Sequence, residues 1–292
     1  MDAQVSHHLQ ATADGDHVPD KTFDIELRLF VEAVYLRYHY DFREYAPSSL
    51  KRRLRAAMAR FGCHTLSQLQ DQLLHDVAVF PQLLDYLTVQ VSEMFRDPPY
   101  FKALRDSVVP LLRTYPSLKV WIAGCSTGEE AWSMAILLRE EGLLDRTLIY
   151  ATDINAHSLQ AAETGVYAAE RIAGFSDNHR LSGAHSSLSE HYTAAYGNAV
   201  FDKRLKKHIV FSDHSLATDS VFAEVQLVSC RNVLIYFNRA LQNRAIGLFR
   251  DALCRQGFLG VGAKESLRFT DHQEAFTELV PQLRLYQKRG GA

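Results

Sequence analysis

Leu118-Lys-Val-Trp-Ile-Ala-Gly-Cys-Ser-Thr-Gly-Glu-Glu130 is the stretch on which the reading of this chain turns. Val120–Ala123 is a short apolar run of strand type. It breaks through Gly124-Cys125-Ser126-Thr127-Gly128 and resumes from Glu129 to Leu138, with Trp132, Ala135, Ile136 and Leu138 at helical spacing. A strand that passes through small residues into a helix is the ligand-approach turn of a nucleotide-binding α/β fold. Small residues let a ligand lie against backbone N–H groups at the positive end of the helix. Glu129 and Glu130 in the first helical turn argue against a pyrophosphate and for a ligand carrying hydroxyls or a cation. The glycine spacing is G-x-x-x-G, not the full dinucleotide fingerprint. A tight strand-to-helix turn without a ligand is therefore the competing reading.

Outward from this turn the sequence alternates. Strands are expected near Val120–Ala123, Leu148–Ala151, Val225–Ser229, Phe258–Val261 and Arg284–Gln287, with helices near Glu129–Arg139, Ala156–Ala162 and Arg239–Cys254. Alternation of this kind gives an α/β fold with a doubly wound, mostly parallel sheet. Residues 170–208 interrupt the rhythm. They are polar and carry the short runs His191–Tyr196 and Lys207–Phe211, which read as an inserted β-subdomain, with Gly197-Asn198 as a tight turn.

Before the turn the pattern is helical. Phe23, Leu27, Phe30, Val31 and Val34 repeat at three and four. Pro47 suits the first turn of a second helix whose inner stripe is Leu50, Leu54, Ala57, Met58 and Phe61, ending at Gly62. Lys51, Arg52, Arg53, Arg55 and Arg60 occupy its other positions, either as a solvated face or as a docking surface for an acidic partner. Thr65-Leu-Ser-Gln68 matches a capping box for a third helix, and a fourth spans roughly Val77–Val89. The expected organisation is a polar, disordered tail over 1–20, an all-helical domain over 21–95, and an α/β domain over 96–292.

Composition sets the limits. The chain has 292 residues, 47% of them hydrophobic, enough for one large domain or two ordinary ones, and a formal net charge of −2 that argues against a nonspecific nucleic-acid binder. Cys63, Cys125, Cys230 and Cys254 are scattered without C-x-x-C or histidine spacing, which suits reduced thiols in a cytoplasm and gives no metal-ligand pattern. The N-terminus lacks a signal region and no stretch reaches membrane-spanning length.

Three further segments belong at the ligand face, beyond the carboxyl ends of the strands. Asp153 ends the second expected strand, 25 residues past Gly128, where an acid can take both ribose hydroxyls or simply cap the next helix. Val225-Gln-Leu-Val-Ser-Cys-Arg-Asn-Val-Leu-Ile-Tyr-Phe237 runs from a buried strand straight into Arg231, Asn232 and Tyr236. Thr88-Val-Gln-Val-Ser-Glu-Met-Phe-Arg-Asp-Pro98 lies at the junction of the two regions, where a segment can close over a site.

Together these segments resemble the chemotaxis receptor protein-glutamate O-methyltransferase family, CheR. The family's S-T-G-E-E stands as Ser126–Glu130, its C-R-N-V-x-I-Y-F as Cys230–Phe237, and its N-x-T-x-F-F-R-D/E as Gln90–Asp97 with Gln90, Ser92 and Met94 as departures. The likeness covers about Leu29–Lys288. It implies a Rossmann-like methyltransferase that binds S-adenosyl-L-methionine and releases S-adenosyl-L-homocysteine. Carried over by position, the cofactor contacts fall on Gln90, Ser92, Arg96, Glu130, Asp153, Ser215, Leu216, Arg231 and Asn232. Ser215 replaces the family's Asn and is too short to reach as far.

The resemblance also implies the substrate: glutamates on cytoplasmic helices of bacterial chemoreceptors, methylated in signal transduction. A glutamate is already ionised at neutral pH, so no strong base is required, and the enzyme's task is to hold two reactants at attack distance and exclude water. Arg96 is the candidate grip on the substrate carboxylate, against a helix-end ion pair. Tyr236 is the candidate hydrogen-bonding group near the methyl, against a core tyrosine. The basic second helix then reads as a receptor-docking face. The segment Tyr192–Asp202 is too short to bind the C-terminal pentapeptide tether of a receptor. The rival readings are a cofactor-binding sensor or scaffold without turnover, and a methyltransferase of another substrate, such as nucleic acid.

Overall fold

The computed structural model describes residues 21–290, so the expected tail over 1–20 lies outside the described residues. Four helices come first: α1 (Lys21–Tyr38), α2 (Pro47–Phe61), α3 (Leu66–His75) and α4 (Val79–Leu87). Pro47 sits in the first turn of α2, and Gly62, at φ 67°, closes it by donating its N–H to the Met58 carbonyl. Thr65 and Gln68 cap α3 reciprocally. Leu27, Phe30, Val34, Leu54, Leu69 and Leu83 close a core of their own.

One expectation fails in α2. Arg53 is not on the outward face but buried, with its guanidinium bonded to the Leu87 carbonyl and, at 2.9 Å, to Ser49 Oγ. Lys51 is paired with Asp24, and Arg55 lies 4.8 Å over the Phe23 ring. Arg52, Arg55 and Arg60 remain exposed, and among the described residues none of the three has an acid within ion-pairing distance.

Asp97 leads into α5 (Pro98–Ala103), a π-helical turn over Leu104–Val108, and α6 (Val109–Leu112). Pro110 has no N–H to give and its ring crowds the carbonyl four residues back, which the wider turn accommodates.

The main sheet has seven strands: β1 (Leu118–Ala123), β2 (Thr147–Asp153), β6 (Ile209–Asp213), β7 (Val225–Cys230), β8 (Leu253–Val261), β9 (Phe276–Val280) and β10 (Leu285–Lys288), in the order β6-β2-β1-β7-β8-β10-β9. The run from β6 to β8 is parallel, and β10 and β9 add antiparallel. Along β1, Val120 and Ile122 enter one core while Trp121 and Ala123 enter the other, so both faces are covered. Helices α7 (Glu129–Glu140) and α8 (Ala156–Thr164) follow β1 and β2, and α11 (Arg239–Ala252) follows β7. From β1 the chain moves outward to β2 and β6, then returns to β7 on the other side of β1. That reversal is the switch point, where a crevice opens beyond the strand ends.

Two expectations are corrected here. Ile209–Asp213, read with the insertion, is the edge strand of the main sheet, and β9 was not foreseen. The inserted element is a three-stranded sheet of β3 (Val166–Ala168), β4 (Tyr192–Ala195) and β5 (Asn198–Phe201), in the order β3-β5-β4, with α9 (Ile172–Leu181) between β3 and β4 and α10 (Lys203–Lys206) after β5. Its first strand precedes residue 170. Its hairpin turns on Tyr196-Gly197, at φ 50° and 73°, one residue earlier than expected.

A buried polar hub fastens this element to α7. The Glu140 carboxylate meets Arg105, His179 Nε2 at 3.1 Å and Ser186 Oγ at 2.5 Å, with His191 Nε2 at 3.7 Å. Burial pushes the Glu140 carboxyl up, but hydrogen bonds from His179, His191 and Ser186 outweigh it and hold the group well below the usual glutamate range. The three ligand-type atoms of Glu140, His179 and His191 lie within 4.8 Å of one another, yet Arg105 already balances the carboxylate, which makes the cluster a structural hub.

Candidate active site

A cavity of about 320 Å³ opens at the switch point. Gly124, Cys125 and Ser126 from the turn after β1, Glu130 from α7, Asp153 and Ile154 from the end of β2, His214 and Leu216 from the segment after β6, and Arg231–Val233, Tyr236 and Phe237 from the segment after β7 form its floor and sides. The junction segment adds Ser92 and Arg96, and the helical domain adds Tyr45, Arg53 and Leu87.

The turn after β1 is built to be tight. A Cβ on Gly128, at φ 90°, would come within 2.9 Å of the Ala162 backbone. Ser126, also in the left-handed region at φ 51°, donates its N–H to Asp153 Oδ2 at 2.8 Å, and the Asn155 N–H reaches Oδ1 at 3.0 Å. Asp153 is therefore fixed by backbone donors while it faces the cavity. Burial pushes its carboxyl above the ordinary aspartate value. The N–H groups of Asn155, Ser126 and Ile154 offset part of this, while nearby Asp213 adds to it.

The opposite wall is sealed by a chain of polar contacts. Tyr100 Oη and Ser229 Oγ are 2.7 Å apart, Ser229 donates to Glu130 Oε1 at 2.5 Å, and Arg231 reaches Glu130 Oε2 at 3.4 Å and Asp97 Oδ2 at 2.6 Å. The Arg231 side chain is 1% exposed and lies 4.1 Å over the Tyr100 ring. Arg231 and Glu130 thus hold each other.

Arg96 is different. Among the described residues its one polar contact is the Val91 carbonyl at 3.5 Å, and no acid lies within ion-pairing distance. The junction segment that carries it is firmly anchored. The Phe95 N–H bonds Ser133 Oγ at 2.8 Å, Asn178 Nδ2 reaches the Met94 carbonyl at 3.1 Å, and Arg171 clamps the Ser92 carbonyl at 2.5 Å while pairing with buried Glu129 at 2.9 Å. Tyr236 also lines the cavity, with the Arg53 guanidinium 4.4 Å over its ring, and its carbonyl accepts the Ala46 N–H at 2.8 Å. The helical domain is thereby coupled to the segment after β7.

Ser92, Arg96, Glu130, Asp153, Leu216, Arg231, Asn232 and Tyr236 all face this cavity. Gln90 and Ser215 do not line it. Gln90 turns toward Thr88 and Asp85, at 3.4 and 3.5 Å. Ser215 Oγ accepts the N–H groups of Ala217 and Thr218 at 3.3 Å, capping its own turn. Sequence reasoning missed Tyr45, Arg53 and Arg171. Arg53 carried a signal, since it stands three residues after Leu50 and four before Ala57 and so shares their face.

The donor set suits one kind of ligand. Fixed carboxylate oxygens at Asp153 suit adjacent hydroxyls, Ile154, Leu216 and Val233 offer apolar surface for a flat ring, and the carboxylates of Asp153 and Glu130 favour a positive centre over a phosphate chain. S-adenosylmethionine has these parts, and the residues present fit it.

The pattern for the CheR methyltransferase SAM binding domain matches residues 90–282, and that for the CheR methyltransferase all-alpha domain matches residues 25–88. A Pseudomonas putida protein named "Putative methyltransferase Cher3" is 58% identical over 92% of this chain and 98% of its own length. The "Chemotaxis protein methyltransferase" of Listeria innocua is 29% identical over 78% of this chain and 84% of its own. An uncharacterized 104.1 kDa Rhodobacter capsulatus protein is 31% identical over 88% of this chain, which spans 27% of that longer protein. The crevice, its donor set and the matched domains agree: the chain belongs to the CheR methyltransferase family, and S-adenosylmethionine is its cofactor.

Proposed function

We propose that this protein methylates glutamate side chains on the cytoplasmic helices of chemoreceptors, forming glutamyl methyl esters and leaving S-adenosylhomocysteine. The observation that carries this reading is Arg96, a guanidinium without an acidic partner, facing the same cavity as Asp153 and Tyr236. A cation left unpaired at a site already furnished with carboxylates is the counterpart of an incoming carboxylate, and its planar fork matches one. The names of relatives such as the Listeria protein support a chemotaxis role.

The bound cofactor supplies an electrophilic methyl group on sulfur. Asp153 would hold the ribose hydroxyls, and Leu216 and Ile154 would offer the adenine an apolar surface. Ser92, Glu130, Arg231 and Asn232 complete the cofactor's surroundings. Arg96 orients the substrate carboxylate for in-line attack, and Tyr236 hydrogen-bonds beside the reacting oxygen. Because the attacking glutamate is already ionised, positioning and exclusion of water carry the rate. We read residues 21–95 as the docking unit and 96–292 as the transfer unit, with the protein acting in the cytoplasm. Among the described residues no helix is long and apolar enough to cross a membrane.

Calorimetry with S-adenosylmethionine followed by transfer of its labelled methyl group to receptor-bearing membranes and, separately, to RNA tests the reading. Base-labile label on receptor is expected. Cofactor binding without transfer to receptor points to a sensor, and label on RNA instead points to another substrate class; either result overturns the proposal.

A further inference from the structure

Glu265 is a buried carboxylate, 4% exposed, with no cationic side chain within ion-pairing distance among the described residues. All its bonds go to backbone. Oε2 accepts the N–H of Gly262 at 2.6 Å and of Asn232 at 3.0 Å, and Oε1 accepts the N–H of Ile235 at 3.2 Å. Two of these donors belong to the segment after β7 that presents Asn232 and Tyr236 to the cavity. That segment turns at Asn232, in the left-handed region at φ 61°, a conformation asparagine adopts more readily than most side chains. A Cβ on Gly262 would lie 2.8 Å from both the Asn232 nitrogen and Glu265 Oε2, so the glycine lets the carboxylate come this close. From the other side, Gln242 Nε2 donates to the carbonyls of Leu234 and Phe237, at 3.0 and 3.1 Å. Burying an unpaired carboxylate is costly, and burial pushes this carboxyl above the usual glutamate range. A neutral amide would avoid that cost, but could not accept from donors on both of its ends.

We propose that Glu265 is a positioning residue that sets the Asn232–Tyr236 segment and so aims Tyr236 at the reacting carboxylate, an inference that rests on the role given to Tyr236 above. The two oxygens divide the task. Oε2 fixes the Asn232 end, on the cofactor side, and Oε1 fixes the Ile235 end, beside Tyr236. In Glu265→Gln the remaining oxygen satisfies the two donors of Gly262 and Asn232, and the new NH2 group opposes the Ile235 N–H. Cofactor binding should then survive while turnover falls.

The test compares wild type, Glu265→Gln, Tyr236→Phe and the double variant, in the full-length protein. Cofactor affinity is read by calorimetry and folding by thermal melting, alongside kcat and KM on receptor membranes. Glu265→Gln is expected to lower kcat by about tenfold or more, with cofactor Kd within about threefold and a near-native melt. Added to Tyr236→Phe, the same change should lower kcat by less than about threefold, because the group it aims is already gone. An equal loss in both backgrounds, unchanged kcat in Glu265→Gln, or a loss confined to Kd or to the melt overturns the inference. Wild-type turnover by Tyr236→Phe overturns the role of Tyr236 and, with it, the route from Glu265 to turnover. An inactive Tyr236→Phe beside a fully active Glu265→Gln removes the inference alone.

Discussion

Arg231 and Arg96 line the same cavity under opposite conditions. Arg231 is buried, paired with Asp97 and Glu130 and stacked on Tyr100. Among the described residues Arg96 has one long contact to a carbonyl and no acid. A guanidinium held between two carboxylates shapes a wall and has few donors left for a ligand. A guanidinium held on an anchored segment without a partner is kept for something that comes and goes. On the proposed reading, Arg231 belongs to the rigid part of the site, and Arg96 and Tyr236 are the groups that would meet substrate. Removing each arginine should separate the two.

The largest effect is expected at Arg231. Arg231→Met leaves Glu130 without its cation inside the wall, and breaking a buried pair from one side costs roughly 3–5 kcal/mol. Chemical denaturation should show that loss directly. A stability within about 1 kcal/mol of wild type would mean that the wall does not depend on the pair. At Arg96 the pattern should invert. Arg96→Ala should melt like wild type yet lose about a hundredfold or more in methyl transfer, and Arg96→Lys should be nearly as poor because a point charge does not replace a planar fork. A lysine variant with near-normal turnover would refute the carboxylate grip.

Asp153 sharpens the same contrast on the cofactor side. Its backbone bonds hold the carboxylate in place at the cavity. Asp153→Asn should weaken S-adenosylmethionine by about tenfold and Asp153→Ala by up to about a hundredfold, the loss of one and then two charge-assisted bonds. Calorimetry on folded variants decides it, and unchanged affinity would remove Asp153 from the ribose subsite.

Much of this was visible in the sequence, and the exceptions have physical causes. The central strands β1, β2 and β7 are apolar on both faces, so they show as runs. Ile209–Asp213 is an edge strand, half exposed and ending in Ser212-Asp213, so its short run was read as part of the inserted β-subdomain. The cavity residues at strand ends were legible because polar side chains directly after a buried strand have few other reasons to be there. Gln90 and Ser215 were carried over by position, but their side chains bond locally instead. Glu265 and the hub of Glu140, His179 and His191 had no local pattern, since apart from Gly262 the partners of Glu265, and those of Glu140, lie far away along the chain. Arg53 was read by charge when its spacing said core.

That correction moves the docking test. With Arg53 under Tyr236, charge reversal there would disturb the site itself. Arg52→Glu with Arg60→Glu instead changes only exposed positions. The pair should raise KM for receptor several-fold, with cofactor affinity unchanged, and the effect should shrink at high salt because exposed charges are screened. Equal KM for wild type and the double variant would return this face to plain solvation.

The smallest expected effect is none at all, and it concerns the inserted sheet. A receptor tether would bind by adding a strand to an open edge, which needs an edge as long as the peptide. Here β4 is four residues long and turns at once through Tyr196-Gly197 into β5, which fills its other side. The remaining edge is β3, three residues long. Neither offers a pentapeptide a full ladder, and a strand pair this short has little side-chain surface with which to offset the ordering of a free peptide. Titration with a labelled C-terminal pentapeptide should therefore show no saturable binding at concentrations of about 10 µM. The contrary result would be saturable binding that disappears when Thr193 or Ala194 is replaced by proline, since one of those two neighbours must turn its N–H to the open edge. Docking would then pass through the inserted sheet, and the exposed arginines of α2 would lose their part in receptor recognition.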